Sequence, residues 1–204
     1  MPPDKVQVAA YTGLHAAAWR DDANAIIGAT RALLEQADSH GRTPLHIATY
    51  AGSHEAIRAL VRSGANLGAL EHDLYDAVTI AAVADDEDTL ALLLALGASA
   101  SLTTSRYAGT ALIAAAHLGH DGVVRKLIAA GAPLDHVNNL HWTALIESVV
   151  LGDGGPRHQA TARALVEAGA NVRLTDRDGR TPLDLARQYG FDEMVLILEA
   201  AHSR

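Results

Sequence analysis

The sequence predicts an all-α fold, a solenoid of about six helix–turn–helix repeats joined by short β-hairpin loops. Three recurring features carry this expectation. Helix starts recur at Thr43-Pro44-Leu45-His46, Thr110-Ala111-Leu112, Thr143-Ala144-Leu145 and Thr181-Pro182-Leu183. Helix ends recur at Gly64-Ala65, Gly97-Ala98, Gly131-Ala132 and Gly169-Ala170. An apolar pair precedes each end, at Leu60-Val61, Leu93-Leu94, Leu127-Ile128 and Leu165-Val166.

The spacing of these anchors is regular. Gly64 to Gly97 spans 33 residues, Gly97 to Gly131 spans 34, and Gly131 to Gly169 spans 38, one period plus an insertion of 5. Each anchor has a physical job. A threonine at the N-cap accepts an orphan backbone N–H, and proline at the first helical position has the right φ and lacks only a donor the helix does not use there. Leucine and alanine let neighbouring helices approach. Glycine after the second helix supplies the left-handed residue that ends it. A period near 33 with a Thr-Pro-Leu-His start is the ankyrin signature. Thr43-Pro44-Leu45-His46-Ile47-Ala48 with Gly52 and His54, and Asp178-Gly179-Arg180-Thr181-Pro182-Leu183, resemble the ankyrin-repeat family from roughly Tyr11 to Ala201.

The repeats fall at residues 8–38, 39–67, 68–100, 101–134, 135–172 and 173–201. The first is irregular and reads as an N-terminal cap. The third is degenerate, with Asp76-Ala77-Val78-Thr79 where the Thr-Pro-Leu-His start should stand. The last reads as a C-terminal cap. Stacked repeats bury one continuous core, so a single elongated domain over residues 1–204 is expected.

Composition narrows the function. The chain has 204 residues, 49% of them hydrophobic but only 4% aromatic, so the apolar content is mostly small aliphatic side chains suited to close helix stacking. Net charge is −8, and only Lys5 and Lys126 are lysines. An acidic chain without a basic cluster is poorly suited to nucleic acid or an anionic membrane. Cysteine is absent, which excludes disulfides and thiol chemistry. Met1 to Ala10 contains Asp4 and no long apolar stretch, unlike a secretory signal. The apolar run at Leu90–Ala100 is too short to span a bilayer. A cytoplasmic protein is expected, monomeric unless it self-associates.

Function is sought where the pattern breaks. The insertion, Leu151-Gly152-Asp153-Gly154-Gly155-Pro156-Arg157-His158, reads as a loop and not as a longer helix, either a tolerated length change or a binding element. Glu147 stands where other repeats carry Ile47, Ile80, Ala114 and Leu185; an acid there needs a local partner or serves as a polar anchor. Trp142 with His141, Tyr107 with Arg106, and Tyr75 with Asp73 and His72 occupy similar positions before successive helices and form a candidate stripe, since tryptophan, tyrosine and arginine carry much interface energy. The acidic turn Asp85-Asp86-Glu87-Asp88 reads as a solvated helix start. The run Asn138-Asn139-Leu140-His141-Trp142-Thr143, followed by Glu147 and Gly152-Asp153-Gly154-Gly155, resembles small stand-alone bacterial members of the same family, which implies a shared structural or binding role.

Eleven histidines raise the question of a metal. His15 and His46 lie in helix-start motifs, and His54 and His120 in turns that tie repeats together. His117 and His120 lack a neighbouring acid at ligand spacing. His40, His72, His136 and His141 lie in hairpin regions and could form one titrating edge. Glu147, Asp153 and His158 are the only enzyme-like constellation, with no nucleophile elbow, phosphate loop or zinc helix beside them. The reading is therefore not an enzyme, with no metal and no cofactor. It is a scaffold that binds an unidentified protein through Trp142, His141, Tyr107, Arg106, Tyr75 and Asp73, with Glu147, Asp153 and His158 for polar specificity. The alternative is a small-molecule or metal-binding protein, or an enzyme, centred on the inserted loop.

Overall fold

The computed structural model describes residues 2–202. Two compact units divide the chain, Met1–Ser99 and Ala100–Arg204. The first holds α1 (Lys5–Ala10), α2 (Gly13–Trp19), α3 (Arg31–Leu34), α4 (Pro44–Ala51), α5 (His54–Arg62), α6 (Ala77–Val83) and α7 (Glu87–Ala95). The second holds β1 (Thr103–Thr104), β2 (Gly109–Thr110), α8 (Ala111–His117), α9 (Asp121–Ala129), α10 (Ala144–Val150), α11 (Pro156–Glu167), α12 (Pro182–Tyr189) and α13 (Asp192–His202). From α2 onward the helices pair as the six repeats require. The fold is an all-α ankyrin-repeat solenoid.

Helix starts follow the expected chemistry. Thr110, Thr143 and Thr181 accept the backbone N–H of Ile113, Ile146 and Asp184. In the degenerate third repeat Asp76 takes over this work, accepting from the Thr79 N–H at 2.8 Å. Burial raises the Asp76 carboxyl above its ordinary pKa, against those Thr79 hydrogen bonds and the charge of His46. Helix ends are equally regular. Gly64, Gly97, Gly131 and Gly169 take φ between 81° and 95°. The alanine after each donates to the leucine carbonyl five residues back, as in Ala65 to Leu60 and Ala132 to Leu127, both at 3.0 Å. This is the hydrogen-bond pattern of a helix closed by a left-handed glycine.

In the first unit the leading helices α2, α4 and α6 pack in sequence, and α5 packs on α7. In the second, α10 packs between α8 and α12, and α11 between α9 and α13. Small residues make this possible: Ala48, Ala56 and Ala82 in one unit, and Ala115, Ala116, Ala144, Ala162 and Ala186 in the other, are fully buried. Leu60, Leu93, Leu127 and Leu165 are fully buried too, each contributing about 1.5–3 kcal/mol of transfer free energy.

Histidines tie repeats together. The His54 ring bonds to Thr89 Oγ1 at 3.0 Å, linking α5 to α7. His46 Nδ1 accepts from the Thr43 N–H at 3.0 Å, and its Nε2 donates to the Ala69 carbonyl at 2.9 Å. His15 Nε2 reaches the Arg42 carbonyl at 3.0 Å. Helix α1 starts before the first expected repeat and overlaps its first three residues. Asp4 and Gln7 form a reciprocal cap at its start, and Gln7 accepts from the buried Arg42 at 3.1 Å. Its signal in the sequence is an Asp-x-x-Gln capping box, too short a stretch to show helical periodicity.

Candidate partner-binding surface

Five hairpins precede the leading helices of repeats two to six, and they share one construction. The first residue of each turn is a side-chain acceptor: Asp38, Glu71, Ser105, Asn138 and Asp176. Each receives the main-chain N–H of the third and fifth residues of its turn. Asp38 receives His40 and Arg42, Glu71 receives Asp73 and Tyr75, and Ser105 receives Tyr107 and Gly109. Asn138 receives Leu140 and Trp142, and Asp176 receives Asp178 and Arg180. The fourth residue of each turn is left-handed: Gly41, Leu74, Ala108, His141 and Gly179 all have φ between 52° and 76°. Only in repeat four, among the described residues, do the flanks form a two-stranded ladder, with Thr103 paired to Thr110 and Thr104 to Gly109.

The fifth position varies among the hairpins, and in repeat four it is Gly109. In repeats two and six it is an arginine folded back on the turn: Arg42 Nε donates to Asp38 at 2.8 Å and Arg180 Nε to Asp176 at 2.9 Å. Burial alone would raise the Asp38 carboxyl. The N–H groups of Arg42 and His40 and the Arg42 guanidinium hold it below the usual carboxylate range instead. In repeats three and five the arginine is replaced by Tyr75 and Trp142, both half-buried. The indole N–H of Trp142 has no hydrogen-bond partner among the described residues.

Adjacent hairpins are stitched through their backbones. The His72 N–H donates to the His40 carbonyl at 3.0 Å, and the Asn139 N–H to the Tyr107 carbonyl at 2.8 Å. Arg177 reaches the Asn139 carbonyl with its guanidinium at 2.6 Å.

Glu147 is buried in α10 with 6% of its side chain exposed. Its Oε1 accepts from Asn138 Nδ2 at 2.7 Å, and its Oε2 lies 3.5 Å from His117 Nδ1 at the end of α8. Asn138 therefore closes its turn with one end of the amide and supports Glu147 with the other. An aspartate there would close the turn equally well but would face Glu147 with a second negative charge.

The insertion is divided between loop and helix, a correction to the expectation of loop alone. Pro156, Arg157 and His158 open α11, which has 12 residues where α5, α7 and α9 have 9. Proline at the first helical position makes this natural. The His158 ring is fixed on both sides: Nδ1 lies 2.9 Å from Asp153 Oδ1, and Nε2 lies 3.0 Å from the His117 carbonyl. A Cβ on Gly119 would stand 3.0 Å from this ring and one on Gly152 2.9 Å from it, so two glycines make its seat. A Cβ on Gly154 would collide with Phe191, which holds the loop from repeat six. The Gly155 N–H and the His158 ring hold the Asp153 carboxyl below its ordinary range.

A family model that describes three consecutive ankyrin repeats matches residues 3–70 and 78–176. The chain belongs to the ankyrin-repeat family. The unmatched gap falls on the hairpin of repeat three, where Glu71 and Leu74 replace the aspartate and glycine of repeats two and six. The ankyrin repeat protein YahD of Escherichia coli is 34% identical over 165 residues, covering 80% of this chain and 82% of that protein. An ankyrin repeat domain from Acinetobacter baumannii AYE matches with TM-score 0.85 and 40% identity, covering 93% of this chain and 97% of its own. A second solved ankyrin repeat protein matches with TM-score 0.83 and 32% identity, covering 93% and 98%. Ankyrin repeats are in general protein–protein interaction modules and not catalysts.

Within this ankyrin framework the predicted residues scatter by depth. Tyr107 is 52% exposed, and Arg106, His141 and Asp153 are exposed. Trp142, Tyr75 and Asp73 are half-buried, Glu147 is buried, and the His158 side chain is 13% exposed. Tyr75 and Trp142 are true equivalents, the fifth residues of their turns, whereas Tyr107 is the third of its own. The four hairpin histidines do not form a row of equivalents either: His72, His40 and His141 are the second, third and fourth residues of their turns, and His136 precedes its turn and bonds to the Ala108 carbonyl. Glu147, Asp153 and His158 do not converge as one group. Glu147 turns to Asn138 and His117, and His158 turns to Asp153. His117 does have a neighbouring acid, Glu147, invisible at sequence spacing because it comes from the next repeat. Among the described residues no three His, Asp or Glu side chains could hold a metal ion, and no helix is long and apolar enough to cross a membrane.

Proposed function

We propose that this chain is a protein-interaction module whose partner docks on hairpin tips and leading helices. In the unit Ala100–Arg204 the contacts are Trp142, His141, Tyr107 and Arg106, with Asp153 at the margin. In the unit Met1–Ser99 they are Tyr75 and Asp73. The observation that carries this reading is the replacement at the fifth turn position. The arginine that Asp38 and Asp176 bind gives way to Trp142, whose backbone is pinned by Asn138 while its ring has no hydrogen-bonding duty to the fold. A rigid, half-exposed aromatic loses little conformational freedom on binding and contributes a large contact area.

The test is capture of partners from the native host by the full chain and by Trp142→Ala. Trp142→Ala should lose the captured protein while its melting temperature falls by only a few degrees, as expected for a loss of about 1 kcal/mol in a chain this size. Unchanged capture by a folded Trp142→Ala variant would refute the assignment.

A further inference from the structure

Glu147, the buried acid of α10, has one oxygen firmly bound and one met only at long range. Glu147 Oε1 is bound by Asn138 at 2.7 Å. Among the described residues Glu147 Oε2 makes one polar contact, the 3.5 Å approach of His117 Nδ1, and that ring is itself 46% exposed. A carboxylate with 6% of its side chain exposed is costly to keep unless strong donors surround it. Here one neutral amide and one long histidine contact do that work. Repeats two, three, four and six avoid the cost with Ile47, Ile80, Ala114 and Leu185.

The surroundings are built to hold this acid in place. Asn138 cannot turn its amide over, because its Oδ1 already receives the N–H groups of Leu140 and Trp142. Its NH2 must therefore point to Glu147. The backbone of α8 beside the acid is also held, since the His117 carbonyl is bound by His158 at 3.0 Å. The exposed member of the group is the His117 side chain, whose Nδ1 meets Glu147 Oε2 at 3.5 Å.

We infer that Glu147 is a recognition site for a cationic side chain of the partner, an arginine or lysine that displaces the His117 ring and bonds to Oε2. The inference rests on the partner-binding reading above and deepens it by naming the chemistry that the partner presents. A guanidinium or ammonium would supply the charge-assisted hydrogen bond that Oε2 lacks. It would enter beside Trp142, because Asn138 holds the Trp142 backbone through one end of its amide and Glu147 through the other. The acidic balance of the chain, −8 overall, favours the approach of a basic segment.

The experiment selects a displayed library of random linear peptides on the immobilised full chain, then on Glu147→Gln and Trp142→Ala. The amide introduced by Glu147→Gln can still accept from Asn138, so this variant should melt close to the parent. Peptides selected on the parent should share an arginine or lysine at one fixed place. Replacing that arginine by citrulline should weaken binding to the parent by about tenfold or more, as for loss of a desolvated charge pair, and should leave binding to Glu147→Gln unchanged. His117→Ala should bind the same peptide at least as tightly as the parent. Selected peptides without a basic residue, an arginine effect that persists in Glu147→Gln, or a loss of affinity in His117→Ala would each overturn the inference while leaving the binding module standing. Failure to enrich any peptide on the parent, or enrichment that Trp142→Ala leaves intact, would count against the module itself and the inference with it.

Discussion

His158 Nε2 lies 3.0 Å from the main-chain carbonyl of His117, 41 residues earlier, and the same ring meets Asp153 through Nδ1. The inserted segment is thus a staple between repeats four and five, not a free flap. His158→Ala should destabilise the chain by about 1–3 kcal/mol through a lost packed ring and an uncapped helix-end carbonyl. Urea unfolding measures this. Amide exchange should also quicken around Leu118 and Gly119. A midpoint equal to the parent's would mean that the staple carries no load.

Thr161 is fully buried in α11, and its hydroxyl finds no hydrogen-bond partner among the described residues. The equivalent positions are Ala56, Thr89 and Val123, and Thr89 is satisfied by His54. Thr161→Val keeps the shape and removes the orphan hydroxyl. It should stabilise the protein by about 1 kcal/mol, raising the melting temperature by about 2–4 °C. A lower melting temperature would show that the hydroxyl is satisfied in solution.

Asn138 and Glu147 should behave as one unit. Asn138→Asp sets a second carboxylate against the first and should cost about 2–4 kcal/mol at neutral pH. Adding Glu147→Gln restores a donor on the other side and should recover most of that loss. Additive losses in the double variant would break the proposed pairing. The comparison is a double-mutant cycle read by denaturant unfolding.

Burial pushes the His46 ring below its ordinary value of 6.5, although the Ala69 carbonyl and the Glu71 and Asp76 charges pull the other way. Protons then bind the unfolded chain more readily than the folded one. Stability from this site is complete above the unfolded value of 6.5 and declines as pH falls from there toward the lower folded value. A proton on Nδ1 would also break the Thr43 N–H bond. His46→Gln should therefore flatten the fall in urea midpoint between neutral and mildly acid pH. An unchanged pH slope would mean that other groups set it.

The left-handed turn position tests the hairpin rule. His141 occupies it with φ 64°, a conformation that costs a side-chain-bearing residue about 1 kcal/mol or more. His141→Gly should leave stability equal or slightly higher. Gly41→Ala should lower it by about 2 kcal/mol, because φ is 75° and the new Cβ would lie 2.5 Å from the His72 ring. Calorimetry should show a fall in melting temperature for Gly41→Ala and none for His141→Gly.

Much of this is legible in the sequence because it is local and periodic. Thr43-Pro44-Leu45-His46 and the Gly-Ala ends set caps that depend on a few neighbouring residues, so both helices of repeats two to six can be placed. Glu147 announces itself by contrast with Ile47 and Leu185. What escapes is fixed between repeats. His117 meets Glu147 only after α8 packs on α10, and His158 meets the His117 carbonyl only after α11 begins at Pro156. The turn acceptors are legible in principle, since Asp38, Glu71, Ser105, Asn138 and Asp176 keep the period. They share an oxygen and not a residue type, and a search for recurring letters passes over them.

That shared oxygen has a consequence for how such hairpins can diversify. Aspartate, glutamate, serine and asparagine all close the same turn by gripping main-chain N–H groups, so the turn itself does not dictate the side chains of its second and third residues. Ser39-His40, His72-Asp73, Arg106-Tyr107, Asn139-Leu140 and Arg177-Asp178 accordingly differ from hairpin to hairpin on one backbone frame. Binding preference can be rewritten at those pairs one hairpin at a time, with the helices behind them left as they are.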